Sequence, residues 1–281
     1  MAERRVAFVT GAGSGLGEAV ARRLAAAGWA VAALDRDARH CRGDLVAEAD
    51  VRDAAAVGAA VAAAARLGAL SAVACCAGIF RNTLAPVHMI SDADWADHLG
   101  VNLTGAFHVV RAALPHLAAS RGAVVLVSSV ANAFPQPGGA AYAASKAGVA
   151  ALARAIALEY GPRGVRANSV SPGYMETPMA APLLSRPHLR GPVEHGLPAR
   201  RVADPDEVAA VIEFLLSPAA GYISGEDVRV DGAGALSAYT AGADLDRMWR
   251  RRSGGTDAGT AGTSGASCAG PGTAAPRRRA T

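Results

Sequence analysis

Short apolar runs alternate with longer helical stretches along most of this chain, and that alternation limits what it can fold into more than any other feature. Runs of four to seven residues at 6–10, 29–35, 70–76, 124–128, 165–171 and 227–230 read as buried strands. Between most of them lie Ala-, Leu- and Arg-rich stretches with helical periodicity, at 16–27, 54–67, 92–119, 141–160 and 205–216. Strands separated by helices imply parallel pairing through crossovers, and so an α/β fold: a single doubly wound parallel β-sheet (Rossmann-type) with helices on both faces. Two helix starts are marked, by Ser91 with Asp94 three residues on, and by Asp204 ahead of Pro205 with Glu207 at the third position. About fourteen residues separate Asp35 from Asp50, too few for a helix, a strand and their connections, so that crossover is expected as a short loop or a single turn.

The pattern holds to residue 236, giving one dinucleotide-binding domain over 1–236, and then dissolves into Gly, Ala, Thr, Ser and Arg. The segment 237–281 cannot bury enough apolar surface to offset ordering entropy and is expected as a disordered tail. The net charge of +4 also sits there, where seven arginines face only Asp244, Asp246 and Asp257, while the body carries 21 basic and 21 acidic residues. A neutral body without a basic stripe excludes nucleic acid as the main partner, whose binding rests on phosphate neutralisation.

Cys41, Cys75, Cys76 and Cys268 show no metal or redox spacing and read as reduced packing thiols, and the seven histidines are equally scattered. No metal is expected, and His88, His98, His108 and His116 are placed on helix surfaces or interfaces. The first strand begins almost at once without an apolar leader, and no apolar run is read as approaching membrane-spanning length, so a cytoplasmic chain without membrane contact is expected.

The sequence Thr10-Gly11-Ala12-Gly13-Ser14-Gly15-Leu16-Gly17 closes the first strand and opens the first helix. Glycines there permit a tight turn and close approach of backbone to a pyrophosphate, and the helix N-terminus presents free N–H groups to it. Gly11, Ser14, Gly15, Leu16 and Gly17 are therefore candidate cofactor contacts. Asp35 ends the second strand eighteen residues past Gly17, where a carboxylate accepts hydrogen bonds from a ribose 2′-hydroxyl and repels a 2′-phosphate. This favours NAD over NADP, with Arg36 next door as the counter-indication.

Tyr142 and Lys146 stand four apart in a helical stretch and share one face. A phenol with an ordinary pKa of ~10 exchanges protons poorly at neutral pH, and an adjacent ammonium is expected to stabilise its phenolate. Lys146 is the only lysine among 28 basic residues. Arginine supplies every other cation but does not titrate, so a retained lysine points to a compact, tunable ammonium.

With these residues placed, the chain resembles the short-chain dehydrogenase/reductase family over residues 6–235. Thr10, Gly11, Gly15 and Gly17 match its glycine pattern, Tyr142 and Lys146 its Tyr-x-x-x-Lys, Ser129 its upstream serine and Asn102 its helix asparagine; Pro172-Gly173, Thr177-Pro178 and Val230-Asp231-Gly232 also fit. The resemblance implies that Ser129 binds the substrate oxygen, Tyr142 exchanges its proton, Lys146 holds the ribose and lowers the tyrosine pKa, and Asn102 anchors a relay water. It further implies cofactor contacts at Asp50, Val51, Cys76, Ala77, Gly78, Pro172, Gly173, Met175 and Thr177, and a homotetramer or homodimer joined through the helices of Asn102 and Tyr142. Cys75-Cys76 stands where the family usually has Asn-Asn, which removes a side-chain tether.

The expected reaction is hydride exchange between NAD(H) and a small secondary alcohol or ketone. Within the same family the alternatives are a 2,3-dihydro-2,3-dihydroxybenzoate-type dihydrodiol dehydrogenase and a 3-oxoacyl-carrier reductase; outside enzymes, a catalytically idle dinucleotide-binding regulator. A nucleotide-sugar epimerase is set aside on glycine spacing and on the lack of a C-terminal substrate domain. The Pro-rich segment between Thr177 and Asp204 is the expected substrate lid. Its Arg186 and Arg190 are candidates for a substrate carboxylate, although a solvated loop arginine is the commoner outcome.

Overall fold

The computed structural model describes residues 4–81 and 85–237. Seven strands form one parallel sheet: β1 (Arg5–Thr10), β2 (Ala30–Asp35), β3 (Leu45–Glu48), β4 (Ala69–Cys75), β5 (Ala123–Val127), β6 (Arg166–Pro172) and β7 (Asp227–Val230), in the order β3-β2-β1-β4-β5-β6-β7. The direction of winding reverses between β1 and β4, the position at which such sheets open a crevice at their carboxyl ends.

Successive residues of the central strands serve opposite layers. Val6 and Phe8 of β1 and Val124 and Leu126 of β5 face a core built with α2 (Ala54–Ala65), α4 (Gly105–Ser120) and α5 (Ala140–Tyr160). Ala7 and Val9, and Val125 and Val127, face α1 (Gly15–Ala26) and α8 (Pro205–Leu216). Side chains as large as Phe8, Leu34 and Leu126 are fully buried, each worth ~2 kcal/mol of transfer free energy. Because both faces are covered, these strands carry no polar alternation.

The expected strands and helices are present with small shifts at their ends, and both marked helix starts form. Ser91 Oγ accepts from the Asp94 N–H at the head of α3 (Asp92–His98), and Asp204 with Glu207 closes a reciprocal capping box on α8. The short crossover after β2 is a single 3-10 turn at Ala38–His40. It leads into β3, which the sequence reading did not include. β3 is four residues long and half exposed, and it lies at the edge of the sheet beside β2, so it lacks the apolar run by which the other strands were found.

The stretch read as one helix over 92–119 is divided. A π-helical turn, Leu99–Thr104, separates α3 from α4 and turns Asn102 inward. Helix α5, with its short extension to Arg163, is long and apolar enough to cross a membrane by length and composition, contrary to the reading that no run approaches that length. Its hydropathy has a packing cause: Val149, Ala150, Ala153 and Ile156 are buried against the sheet. The expected lid folds as α6 (Ala181–Leu184) and α7 (Pro187–Gly196) around a small cluster of Leu184, Leu197 and Val202. A short α9 (Gly234–Ser237) follows β7. Beyond Ser237, the expectation of disorder lies outside the described residues.

Candidate active site

The carboxyl ends of the strands surround a cavity of about 970 Å³. Among the sequence-predicted residues, Gly11, Ser14, Gly15, Leu16, Gly17, Asp35, Asp50, Val51, Cys76, Ala77, Gly78, Ser129, Tyr142, Lys146, Pro172, Gly173, Met175 and Thr177 all line it. Asn102 lies behind the wall.

At one end the glycine turn is packed against neighbouring backbone. A Cβ on Gly17 would stand 2.0 Å from the Gly11 carbonyl oxygen, and one on Gly11 would stand 2.8 Å from the Ala77 nitrogen. No side chain fits at either position, so bare backbone faces the cavity. Ser14 begins α1 without a side-chain cap, leaving first-turn N–H groups for an anion. The Asp35 carboxylate reaches back to this turn, accepting from the Gly13 N–H at 2.9 Å and from the Asp37 N–H at 3.0 Å. Lone pairs remain on both oxygens for a further donor. Asp50 is engaged by the Arg52 guanidinium, whose hydrogen bonds hold its carboxyl below the usual carboxylate range. The groups at this end thus fit a dinucleotide: unblocked N–H donors for a pyrophosphate and an accepting carboxylate for a ribose.

Ser129, Tyr142 and Lys146 meet on the wall between β5 and α5. Burial pushes the Tyr142 phenol up, and the Ser129 hydroxyl beside it works the other way. The lowering expected from Lys146 is not among these effects. Its Nζ stands 5.7 Å from the centre of the Tyr142 ring and donates to the Val127 carbonyl at 2.7 Å. Burial instead brings Lys146 itself down to about 8, with the Cys76 and Cys75 thiols acting in the opposite sense. The same burial raises Cys76 to about 12, so both cysteines next to the amine are neutral thiols.

Asn102 is almost fully buried. Its Oδ1 accepts from the Ile79 N–H at 2.8 Å, and its Nδ2 donates to the Ile79 carbonyl at 3.1 Å and to Ser145 Oγ at 2.9 Å. Both donors are used, and one Oδ1 lone pair remains. A Cβ on Gly78 would lie 3.3 Å from Asn102 Oδ1 and 3.4 Å from Lys146 Nζ, so the two side chains converge above this glycine. Thr10 Oγ1, accepting from the Ala77 N–H at 3.2 Å, ties β4 to β1 and bridges the two strand ends beside the Cys-Cys departure.

One residue was misplaced by the sequence reading. His98, assigned to a helix surface or interface, is 2% exposed. Its Nδ1 bonds the Asp94 carbonyl at 2.7 Å, and Nε2 accepts the Arg81 N–H at 3.1 Å. The ring stands edge-on to Tyr142, as does Phe80 from the same loop at 4.8 Å between centroids. Its spacing, four before Asn102, was the available signal.

A behind-the-wall network supports Ser129 from the other side. Asn132 Nδ2 lies within hydrogen-bonding distance of the Ser128 and Ser171 hydroxyls and of the Asp227 carboxylate, and Ser128 Oγ donates to the Lys146 carbonyl at 2.9 Å. The lid contributes Met179, Pro182, Leu183, Arg186, Leu189 and Val193 to the cavity wall. Among the described residues no group of His, Cys, Asp or Glu could hold a metal ion.

Comparison with known proteins agrees with this architecture. The sequence model described as Enoyl-(Acyl carrier protein) reductase matches residues 11–233. The chain is 40% identical over 242 residues to the cis-4-hydroxycyclohexanecarboxylate dehydrogenase of Sinomonas cyclohexanicum, covering 81% of this chain and 95% of that one. It is 35% identical to the 2,3-dihydro-2,3-dihydroxybenzoate dehydrogenase of Bacillus subtilis, covering 83% and 97%. The crystal structure of a gluconate 5-dehydrogenase from Burkholderia cenocepacia in complex with NADP and tartrate superimposes with a TM-score of 0.76 at 32% identity, covering 83% of this chain and 95% of that one. A match over nearly the whole domain, in sequence and in three-dimensional structure, places the chain in the short-chain dehydrogenase/reductase family, nicotinamide-dependent oxidoreductases that act on CH–OH groups of small molecules.

Proposed function

We propose that the protein is an NAD(H)-dependent dehydrogenase or ketoreductase of small secondary alcohols and ketones, with Tyr142 as its general acid and base. The observation that carries this reading is the meeting of Ser129, Tyr142 and Lys146 on one wall of a cavity whose other end is a bare-backbone turn beside a carboxylate.

The nicotinamide cofactor, when bound, supplies the hydride acceptor or donor. Gly11, Ser14, Gly15, Leu16 and Gly17 would hold its pyrophosphate, Asp35 a ribose, Asp50 and Val51 the adenine, and Cys76, Ala77, Gly78, Pro172, Gly173, Met175 and Thr177 the remainder. Asp35 is the basis for NAD over NADP: a 2′-phosphate would meet its negative charge at close range in a partly buried site. Arg36, also at the cavity wall, is the group that would have to offset it.

Ser129 orients the substrate oxygen toward Tyr142. In oxidation the tyrosinate takes the alcohol proton; in reduction the phenol returns it to the carbonyl oxygen. Lys146, brought near neutrality by burial, replenishes or removes that proton, and the free lone pair of Asn102 can seat a water between the lysine and solvent. An intact proton-transfer set argues against an idle regulator. The relatives named above act on ring alcohols and hydroxy acids, which supports a dihydrodiol or cyclic alcohol as the nearest variant of this reading.

A homotetramer or homodimer and a cytoplasmic location complete the proposal. The apolar side chains of Phe107 on α4 and Leu158 on α5, both exposed, support an interface through those helices. A spectrophotometric panel of secondary alcohols and ketones with NAD(H) and NADP(H) tests the reading. Turnover with NAD(H) is expected; cofactor binding without turnover of any substrate would instead favour the regulator.

A further inference from the structure

We infer that the substrate carries a carboxylate and that Arg186 is the residue that selects it; this rests on the dehydrogenase reading above.

The charged groups along the cavity are unevenly placed. Both lining carboxylates, Asp35 as the last residue of β2 and Asp50 just after β3, lie at the dinucleotide end. The wall around Ser129 and Tyr142 instead combines Phe80, Phe134, Met179, Leu183 and Val193 with the uncharged Gln136 and Tyr174, and no acidic residue lines it. Arg186, in the turn between α6 and α7, is the one charged residue that the lid contributes to that wall among the described residues.

The nearby acids are already committed. Glu176 and Glu194 both bond Arg190, Glu194 at 2.9 Å, so Arg190 is the neutralised arginine of the pair considered from sequence. Arg201 is likewise paired with Glu207. No hydrogen bond or ion pair engages the Arg186 guanidinium among the described residues. Arg186 is exposed at the edge of this wall, so its guanidinium, without a counter-ion from the chain, is available to an anion of the ligand, and its planar fork matches a carboxylate in bidentate fashion.

The fitting ligand therefore has an apolar ring or short chain, a secondary hydroxyl or ketone at Tyr142 and a carboxylate turned to the lid. Arg186 acts on binding and not on proton transfer. Its loss should raise KM for the acid more than KM for an uncharged analogue of the same skeleton.

The test uses the full-length protein, its Arg186→Gln and Arg186→Lys variants, and matched pairs such as hydroxycyclohexanecarboxylates and their methyl esters. Wild type should prefer the acid by about tenfold or more in kcat/KM, as expected of a charge-assisted pair. R186Q should lose that preference, with kcat/KM falling about tenfold or more further for the acid than for the ester, and R186K should retain part of it. Calorimetric binding of unreactive cyclohexanecarboxylate against cyclohexanecarboxamide, in the presence of NAD, provides a second readout that needs no turnover. Equal handling of acid and ester by wild type, or a preference that survives in R186Q, overturns the assignment. If no alcohol turns over but the carboxylate binds and R186Q abolishes binding, the dehydrogenase reading fails while the anion site stands.

Discussion

His98 Nε2 accepts the Arg81 N–H at 3.1 Å, which joins the loop after β4 to the end of α3 directly behind Tyr142. With Nδ1 bonded to the Asp94 carbonyl, only the neutral ring with its proton on Nδ1 satisfies both partners. His98→Phe would leave the Asp94 carbonyl and the Arg81 N–H without these partners. We expect a loss of about 1–3 kcal/mol and weaker NADH binding, read by thermal denaturation and by fluorescence titration. An unchanged Tm and Kd would show that the loop is held by Asn102 alone.

Tyr142→Phe removes the proton-bearing oxygen and little else, because Phe80 and His98 still enclose the ring. Turnover should fall by at least a thousandfold with NADH affinity within about threefold of wild type. In wild type, oxidation should accelerate as pH rises, since burial raises the phenol and the reaction needs the phenolate. Substantial residual turnover in the variant would remove Tyr142 from its role.

Lys146 opposes folding at neutral pH. Burial lowers its pKa from 10.5 to about 8, so the unfolded chain binds this proton more tightly than the folded one. That penalty is full below pH 8 and disappears as pH rises toward 10.5, with an upper bound of about 3 kcal/mol. Lys146→Met should therefore be inactive yet more stable than wild type at pH 7, less the lost bond to Val127. The stability difference should shrink by pH 10, as followed by denaturant titration. A difference independent of pH would mean that the amine is solvated in solution.

Asp35→Ala should lower the ratio of kcat/KM for NAD over NADP by about tenfold or more, because the repulsion of a 2′-phosphate is removed while Arg36 remains. Steady-state kinetics with both cofactors decide it. An unchanged ratio would move the selector elsewhere along the rim.

The principal strands and helices were legible because strands buried on both faces must be apolar throughout and crossover helices must show a 3.6-residue period. β3 was not, since an edge strand of four residues exposed on one side carries too little of either signal. The π turn at Leu99–Thr104 escaped for a different reason: it changes hydrogen-bond register without changing the apolar pattern that α3 and α4 share.

Sequence alone determined the chemical inventory: a glycine turn at the first strand end, an acid at the second, a serine, a tyrosine and a solitary lysine at fixed spacings. These are local facts, set by backbone sterics and helix periodicity, and they survive without knowledge of the fold. Tertiary packing decided how those groups behave. It bonded Lys146 to the Val127 carbonyl, enclosed His98 behind Tyr142, and paired Arg190 with two glutamates while leaving Arg186 on the cavity wall. Burial, ion-pair choice and side-chain direction depend on residues distant in the chain, and no local pattern encodes them.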